Sequence, residues 1–395
     1  MGEAEAEAVQ VDDGVEAEER LIGALFSAEG RRDPHPFYRS VSVPGCRYAV
    51  AEAMLRDRRF RPKPIPPSES AVWQMYARWL LALDGERHAR MRRRFAGLFS
   101  PRRVESFRDV VTQKATALVD GLSAKGSADL VTDFARPLPF SVIVDVLGVP
   151  PDRREWIADR VFRLDEGFAR QTEPEFLTRA EAAVADMLAY FAHLLDERAV
   201  DPKDDLISAL AADIPEDPDG RLDVIANCVF FIAAGHITTT SLIAGGTLLL
   251  LEHPDQLERV RVDPSLIAGA VEEMLRFVTP VPGTICRARE DLELEGYRFP
   301  SGVDRRVLLA AANRDPSVFP DPDRFEVTRE PNRHLTFSAG SHFCLGAPLA
   351  RLHGEIAITT LLGRLPNLRL DGAPVWRSSF PLRELECLPV AWEVR

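Results

Sequence analysis

The chain has 395 residues, 46% of them apolar and 28% charged, and a net charge of −12. That length suggests two or three domains and that composition fills a large core in a soluble protein, while the acidic balance argues against nonspecific nucleic-acid binding. Five cysteines (Cys46, Cys228, Cys286, Cys344, Cys387) are scattered, odd in number and without metal-finger spacing, which points to a reducing, cytoplasmic setting without a disulfide framework.

Residues 2–20 are acidic and alanine-rich, with neither the basic start nor the apolar centre of a signal peptide. They are expected to form a partly disordered leader, residues 1–20, ahead of a helix beginning at Leu21-Ile22. Further on, Asp84-Gly-Glu-Arg-His88-Ala-Arg90-Met-Arg92-Arg93-Arg94 sets His88 and Arg92 four apart on one helix face. A solvated basic helix and a pair of donors for a buried anion are both open there.

From Val224 to Leu251 the chain has 28 residues without Asp, Glu, Lys or Arg, enough to span a bilayer. Asn227, His236 and the run Thr238-Thr-Thr-Ser241 crowd its middle, where lipid would penalise them, so a long buried helix of a soluble protein is expected instead of a membrane span. Asp263-Pro264 reads as a helix start, and the periodic stretch after it stops before Pro280. Glu273 and Arg276 lie three apart on that helix, ordinarily a solvated ion pair of small weight. Leu292-Glu-Leu-Glu alternates as a strand, Phe299-Pro-Ser-Gly302 turns, Arg306-Val-Leu-Leu-Ala resumes an extended run, and Leu388-Pro-Val-Ala-Trp392 reads as another strand. No repeat or flexible linker appears. The expected fold class is mainly α with a smaller β region (α+β), as a single domain over residues 21–395.

The stretch Phe337-Ser-Ala-Gly340-Ser-His342-Phe-Cys344-Leu-Gly346 carries the most chemistry. Glycines flank one cysteine, and a helical pattern (Leu349, Leu352, Ile356, Leu361) begins just after it. Glycine lets a backbone turn tightly or approach a flat object, and the mouth of a helix favours a thiolate. The alternatives are a structural thiol in a glycine-rich turn and a sulfur ligand presented to a planar metal cofactor.

The order F-x-x-G-x-H-x-C-x-G, followed by Ala350-Arg351, resembles the haem-binding loop of the cytochrome P450 family of haem-thiolate monooxygenases. The resemblance implies the cytochrome P450 fold, with a long central helix over a buried haem b (iron protoporphyrin IX) held by Cys344, and the soluble bacterial type without an anchor helix. It implies haem contacts from His88, Arg92, His342, Phe337, Gly340, Gly346 and Ala234, and a structural network of Glu273, Arg276 and Arg324 that holds the cysteine segment. Gly235 and Thr238 match the oxygen-activating A-G-x-(D/E)-T segment, but Ile237 stands where an acid is usual. Cys286 stands where an arginine usually meets a haem propionate, with Arg287 adjacent and facing the other way on a strand.

By the same resemblance Trp73, Tyr76, Trp79, Phe231, Val281, Thr284, Phe380 and Leu382 are pocket candidates, and Arg90, Arg93 and Arg94 form a basic patch for an acidic ferredoxin. The implied activity is insertion of one oxygen atom of O2 into a hydrophobic small molecule, free or carrier-protein-bound, by hydroxylation or epoxidation in secondary metabolism. Electrons would come from NAD(P)H through ferredoxin reductase and ferredoxin. A peroxide-using or non-oxidative haem-thiolate enzyme, or a noncatalytic haem-binding partner protein, are the alternatives.

Overall fold

The computed structural model describes residues 20–394 apart from 22, 26, 41, 42 and 378–381, so most of the expected leader lies outside the described residues. Ten helices of nine residues or more occur among the described residues: α1 Tyr48–Arg56, α2 Gly85–Ala96, α3 Arg108–Ser123, α4 Pro137–Leu147, α5 Arg154–Ala169, α6 Pro174–Val200, α7 Pro218–Glu252, α8 Pro254–Val262, α9 Ile267–Val278 and α10 Ala347–Arg364. The strands are short: β1 Phe60–Pro62, β2 Ser127–Asp129, β3 Thr284–Ala288, β4 Leu292–Leu294, β5 Tyr297–Phe299, β6 Asp304–Val307, β7 Arg369–Leu370, β8 Val375–Trp376, β9 Leu385–Cys387 and β10 Pro389–Ala391. The chain clusters into two compact units. One contains the chain up to Lys63, Val281–Arg324 and Pro331–Cys344; the other contains Pro64–Pro280, Phe325–Glu330 and the chain from Leu345.

In the first unit, β3 is the centre of an antiparallel sheet of order β1-β3-β6, and β4-β5 form a hairpin. Tyr48, Val50 and Met54 of α1 pack with Phe60, Ala288, Phe299, Val307 and Phe319 in its core. The extended run expected from Arg306 starts two residues earlier and ends at Val307. There the Leu308 amide turns aside to Gly45 O (2.9 Å), and the alanine-rich Leu309–Ala312 winds into a helical turn. Buried Asn313 accepts from Leu335 N (2.6 Å) and donates to Thr336 Oγ1 (2.9 Å), fixing the chain that leads to Cys344.

In the second unit, α7 is the central helix. Asp217 caps it through Gly220 N, and Pro218 occupies the first turn, where its missing N–H costs nothing. One helix among the described residues is long and apolar enough to cross a membrane, this one, and 72% of its most apolar window is buried inside the protein. Bare glycines make the closest approach possible: a Cβ on Gly246 would lie 2.7 Å from Met274 Sδ of α9. Asn227 of α7 accepts from Leu80 N (2.7 Å) and donates to Arg78 O (2.9 Å), tying the chain before α2 to the central helix. Small sheets of order β2-β10-β7 and β8-β9 complete the unit.

Burial also sets a pH dependence. His353 of α10 is 2% exposed, its Nδ1 donates to Leu349 O (2.9 Å), and Nε2 meets no partner among the described residues, so burial holds its pKa down at about 4 against an ordinary 6.5. Between those values the unfolded chain binds a proton that the folded chain refuses, so this contribution to stability is complete above pH 6.5 and falls as the pH drops towards 4. His353→Leu is expected to flatten the acid side of the stability–pH curve by one proton, about 1.4 kcal/mol per pH unit, in urea titrations across that window.

Candidate haem-thiolate site

The cysteine loop belongs to the first unit and is fixed by its own backbone. Ser338 and Gly340 take positive φ (63° and 67°), and a Cβ on Gly340 would lie 2.4 Å from Leu55 O, so only glycine fits there. Gly340–His342 forms a 3₁₀ turn, Phe343 N donates to Gly340 O (3.2 Å) and Cys344 N to Phe337 O (2.9 Å). Phe337 is buried, with its ring edge-on to Phe343 at 6.3 Å. The chain then enters α10 at its N-cap, Gly346, two residues past the cysteine.

Cys344 is exposed, whereas burial drives the thiols of Cys228 and Cys286 up to about 12. A glycine turn, an exposed cysteine and the mouth of an 18-residue helix suit an anionic sulfur donor. Among the described residues no three His, Cys, Asp or Glu side chains converge to hold a bare metal ion.

The second unit holds the structural network. Glu273 and Arg276 are both fully buried and joined by two 2.8 Å hydrogen bonds. Glu273 Oε1 also accepts from Glu326 N (3.0 Å) and Arg329 Nε (3.0 Å). The i,i+3 pair is thus a buried anchor rather than a solvated bridge. Arg329 joins the pair, five residues beyond the expected Arg324, which is an exposed residue. Val327 N donates to Gln256 Oε1 (3.1 Å), which holds 325–330 in the register that brings Arg329 inward.

On α7, Phe230, Ala234, Gly235, Ile237 and Thr238 are half-buried along a stretch whose other members are buried, and at helical spacing they share one stripe. The matched residues Ala234, Gly235 and Thr238 are thus all half-buried. The helix runs through them without a break. A Cβ on Gly235 would meet Ile143 Cγ1 at 3.1 Å, and Thr238 Oγ1 donates to Ala234 O (2.9 Å).

His236 points elsewhere: Nδ1 donates to Ile232 O (2.9 Å), the ring is edge-on to Phe140, and Nε2 is 3.6 Å from Asp165 Oδ2 of α5. Burial lowers the pKa of His236 to about 4, so its ring is neutral near pH 7, and burial raises that of Asp165 well above its ordinary value. Asp165 carried no local sequence signal; only the packing of α5 on α7 brings it to His236.

His88 of α2 is buried, and burial together with the nearby Arg92 charge lowers its pKa. Of the surrounding arginines, Arg90 pairs with Glu86 (3.5 Å) and Arg94 with Asp213 (2.6 Å), while Arg93 is exposed. Trp73, Tyr76 and Trp79 form one aromatic cluster with Phe168 of α5 at 5.5–5.7 Å, and Trp79 also meets Phe230 at 5.1 Å. Phe231 is instead enclosed by Phe95 and Phe99 at 4.5 and 5.1 Å, so it is a core residue and its neighbour Phe230 joins the cluster.

Leu382 is half-buried in the second unit; Val281 is half-buried and Thr284 exposed in the first. His342 is half-buried in the cysteine loop, and Phe380 lies outside the described residues. Cys286 is buried on β3 in regular register, and Arg287 turns to Asp304 (2.6 Å).

Comparison with known proteins agrees with this geometry. The family model described as Cytochrome P450 matches residues 194–368. The chain is 38% identical over 406 residues to the cytochrome P450 monooxygenase PikC of Streptomyces venezuelae, covering 94% of this chain and 93% of PikC. Among solved structures, P450BioI in complex with a hexadec-9Z-enoic acid ligated acyl carrier protein superposes with a TM-score of 0.87 at 34% identity, covering 93% of this chain and all of that one. The polyketide synthase cytochrome P450 PksS of Bacillus subtilis gives 0.83 at 31%, covering 93% and 99%. The chain therefore belongs to the cytochrome P450 family, as a monooxygenase-type oxidoreductase whose cofactor is haem b.

Proposed function

We propose that the protein inserts one oxygen atom of O2 into a hydrophobic organic substrate, by hydroxylation or epoxidation in a secondary-metabolite pathway. Electrons would pass from NAD(P)H through a ferredoxin reductase and a ferredoxin, and residues 21–395 would act as one cytoplasmic catalytic domain. The observation that carries this reading is the exposed Cys344 sulfur on a rigid glycine turn at the entrance to α10. The PksS likeness supports a secondary-metabolite substrate, and the acyl carrier protein in the P450BioI complex supports an acyl chain delivered on a carrier.

Bound haem with a thiolate ligand supplies the activation of dioxygen, the sulfur pushing electron density towards O–O cleavage. The chain's own residues hold and steer it. Cys344 provides the sulfur, and Phe337, Gly340 and Gly346 shape its loop. By the family resemblance His88, Arg92 and His342 would offer hydrogen-bond donors to the haem carboxylates. Ala234 would leave room on the half-buried stripe of α7, while Gly235 lets Ile143 of α4 approach the helix closely. Freed from Ala234 O, the Thr238 hydroxyl can hand on a proton from Oγ1 and regain one from water. The ring cluster of Trp73, Tyr76 and Trp79 excludes water from the substrate side.

Ile237 favours a second reading, in which peroxide rather than O2 is the oxidant. An aliphatic side chain cannot relay the protons that O2 activation consumes, and neutral His236 carries no charge to replace it. Substrates found by spin-state shift, starting with fatty-acyl carrier protein, should turn over with NAD(P)H, reductase and ferredoxin. Turnover with peroxide alone would establish the second reading in its place. Ile237→Glu is expected to raise the O2-driven rate and cut wasted peroxide, with about 10²-fold as the scale of a positioned acid; an unchanged ratio of product to peroxide would show that another proton route suffices.

A further inference from the structure

We propose that Arg305 supplies the guanidinium that position 286 lacks and binds a carboxylate of the haem. In the antiparallel pair β3–β6, Cys286 lies directly opposite Arg305 in unbroken register, with Arg287 opposite Asp304. Directly opposed residues of such a pair project from the same face, so Arg305 rises beside Cys286 while Arg287 leaves the other side. There Arg287 is held by Asp304, which also binds Lys63 Nζ at 3.2 Å. The adjacent arginine is therefore already committed, and the cross-strand one is not.

The state of the Arg305 side chain is the second observation. It is 8% exposed, on a face shared with buried Cys286, Ala288 and Val307. Its hydrogen bond runs from Nη1 to the backbone Asp304 O (3.1 Å), and among the described residues no carboxylate lies within ion-pair distance of it. Among the described residues the other two buried arginines each have one: Arg276 has Glu273 and Arg198 has Asp205. A buried cation without a counter-charge is costly, and one kept on an apolar face calls for an anion from outside the described residues. Haem b carries two carboxylates, and a planar guanidinium is the donor best matched to them.

The test is haem transfer from the purified holoprotein to excess apomyoglobin, which needs no substrate and no turnover. Arg305→Leu should release haem about 10–100-fold faster, the scale of a hydrogen bond to a charged group. The double variant Cys286→Arg/Arg305→Leu, which moves the guanidinium across the strand pair, should return the rate to within about threefold of the parent. A parent-like rate for Arg305→Leu overturns the proposal, and so does a double variant as leaky as the single one. Should Arg305→Leu retain no haem at all, the double variant decides: haem-replete protein supports the assignment, and haem-free protein overturns it.

Discussion

Replacing Cys344 with alanine is expected to abolish oxygenation and to remove the long-wavelength absorption that sulfur-ligated haem gives after reduction and addition of carbon monoxide. The polypeptide itself should barely notice. Cys344 is exposed, and the bond from its amide to Phe337 O does not depend on the side chain, so unfolding of the haem-free chain should shift by no more than about 0.5 kcal/mol. Cys344→Ser separates anion from shape, because a hydroxyl of similar size stays protonated at neutral pH. It too should lack the sulfur-specific band even where haem is retained. A serine or alanine variant that kept this band would show that another group holds the iron.

The second large effect is expected at Glu273. Removing this carboxylate takes an ion pair from two guanidiniums, Arg276 with no exposure at all and Arg329 nearly buried, and an acceptor from the amide of Glu326. Breaking a buried pair from one side costs about 3–5 kcal/mol, against a total domain stability of about 5–15 kcal/mol. Glu273→Ala should therefore lower the urea midpoint sharply. Glu273→Gln keeps acceptor capacity and should lose less. The control is Glu52→Ala, which breaks a surface i,i+4 pair with Arg56 and should change stability by no more than about 0.5 kcal/mol. Comparable losses in both would mean that the buried network contributes nothing special.

What the sequence disclosed follows from how far each feature reaches along the chain. The cysteine loop is read from ten consecutive residues, and its turn is set by Gly340 and closed by a bond from Cys344 back to Phe337. The long helix is likewise continuous, bounded by Asp217-Pro218, and its missing charges are a local property. Arg329 was harder, because Arg324 and Arg329 lie in one short segment and only the hydrogen bonds of Glu326 and Val327 decide which turns inward. Asp165 could not be reached by spacing at all, since it meets His236 from 71 positions away through the packing of two helices. Arg305 belongs to the same class: its significance rests on a strand register that places it across from Cys286. Phe230 and Phe231 differ by one step around a helix, and an aromatic pair does not announce which ring faces the core.

The packing of Trp73 and Trp79 against Phe168, one edge-on and one tilted, gives the molecule an optical gauge of its own. Two of the five indoles rest on a ring one residue from the C-terminal end of α5, so that helix cannot lift without changing the surroundings of both. Tryptophan emission should then report displacement of α5 by a guest molecule as a signal separate from the colour of the iron. Compounds that move the helix without reaching the metal would register in emission alone.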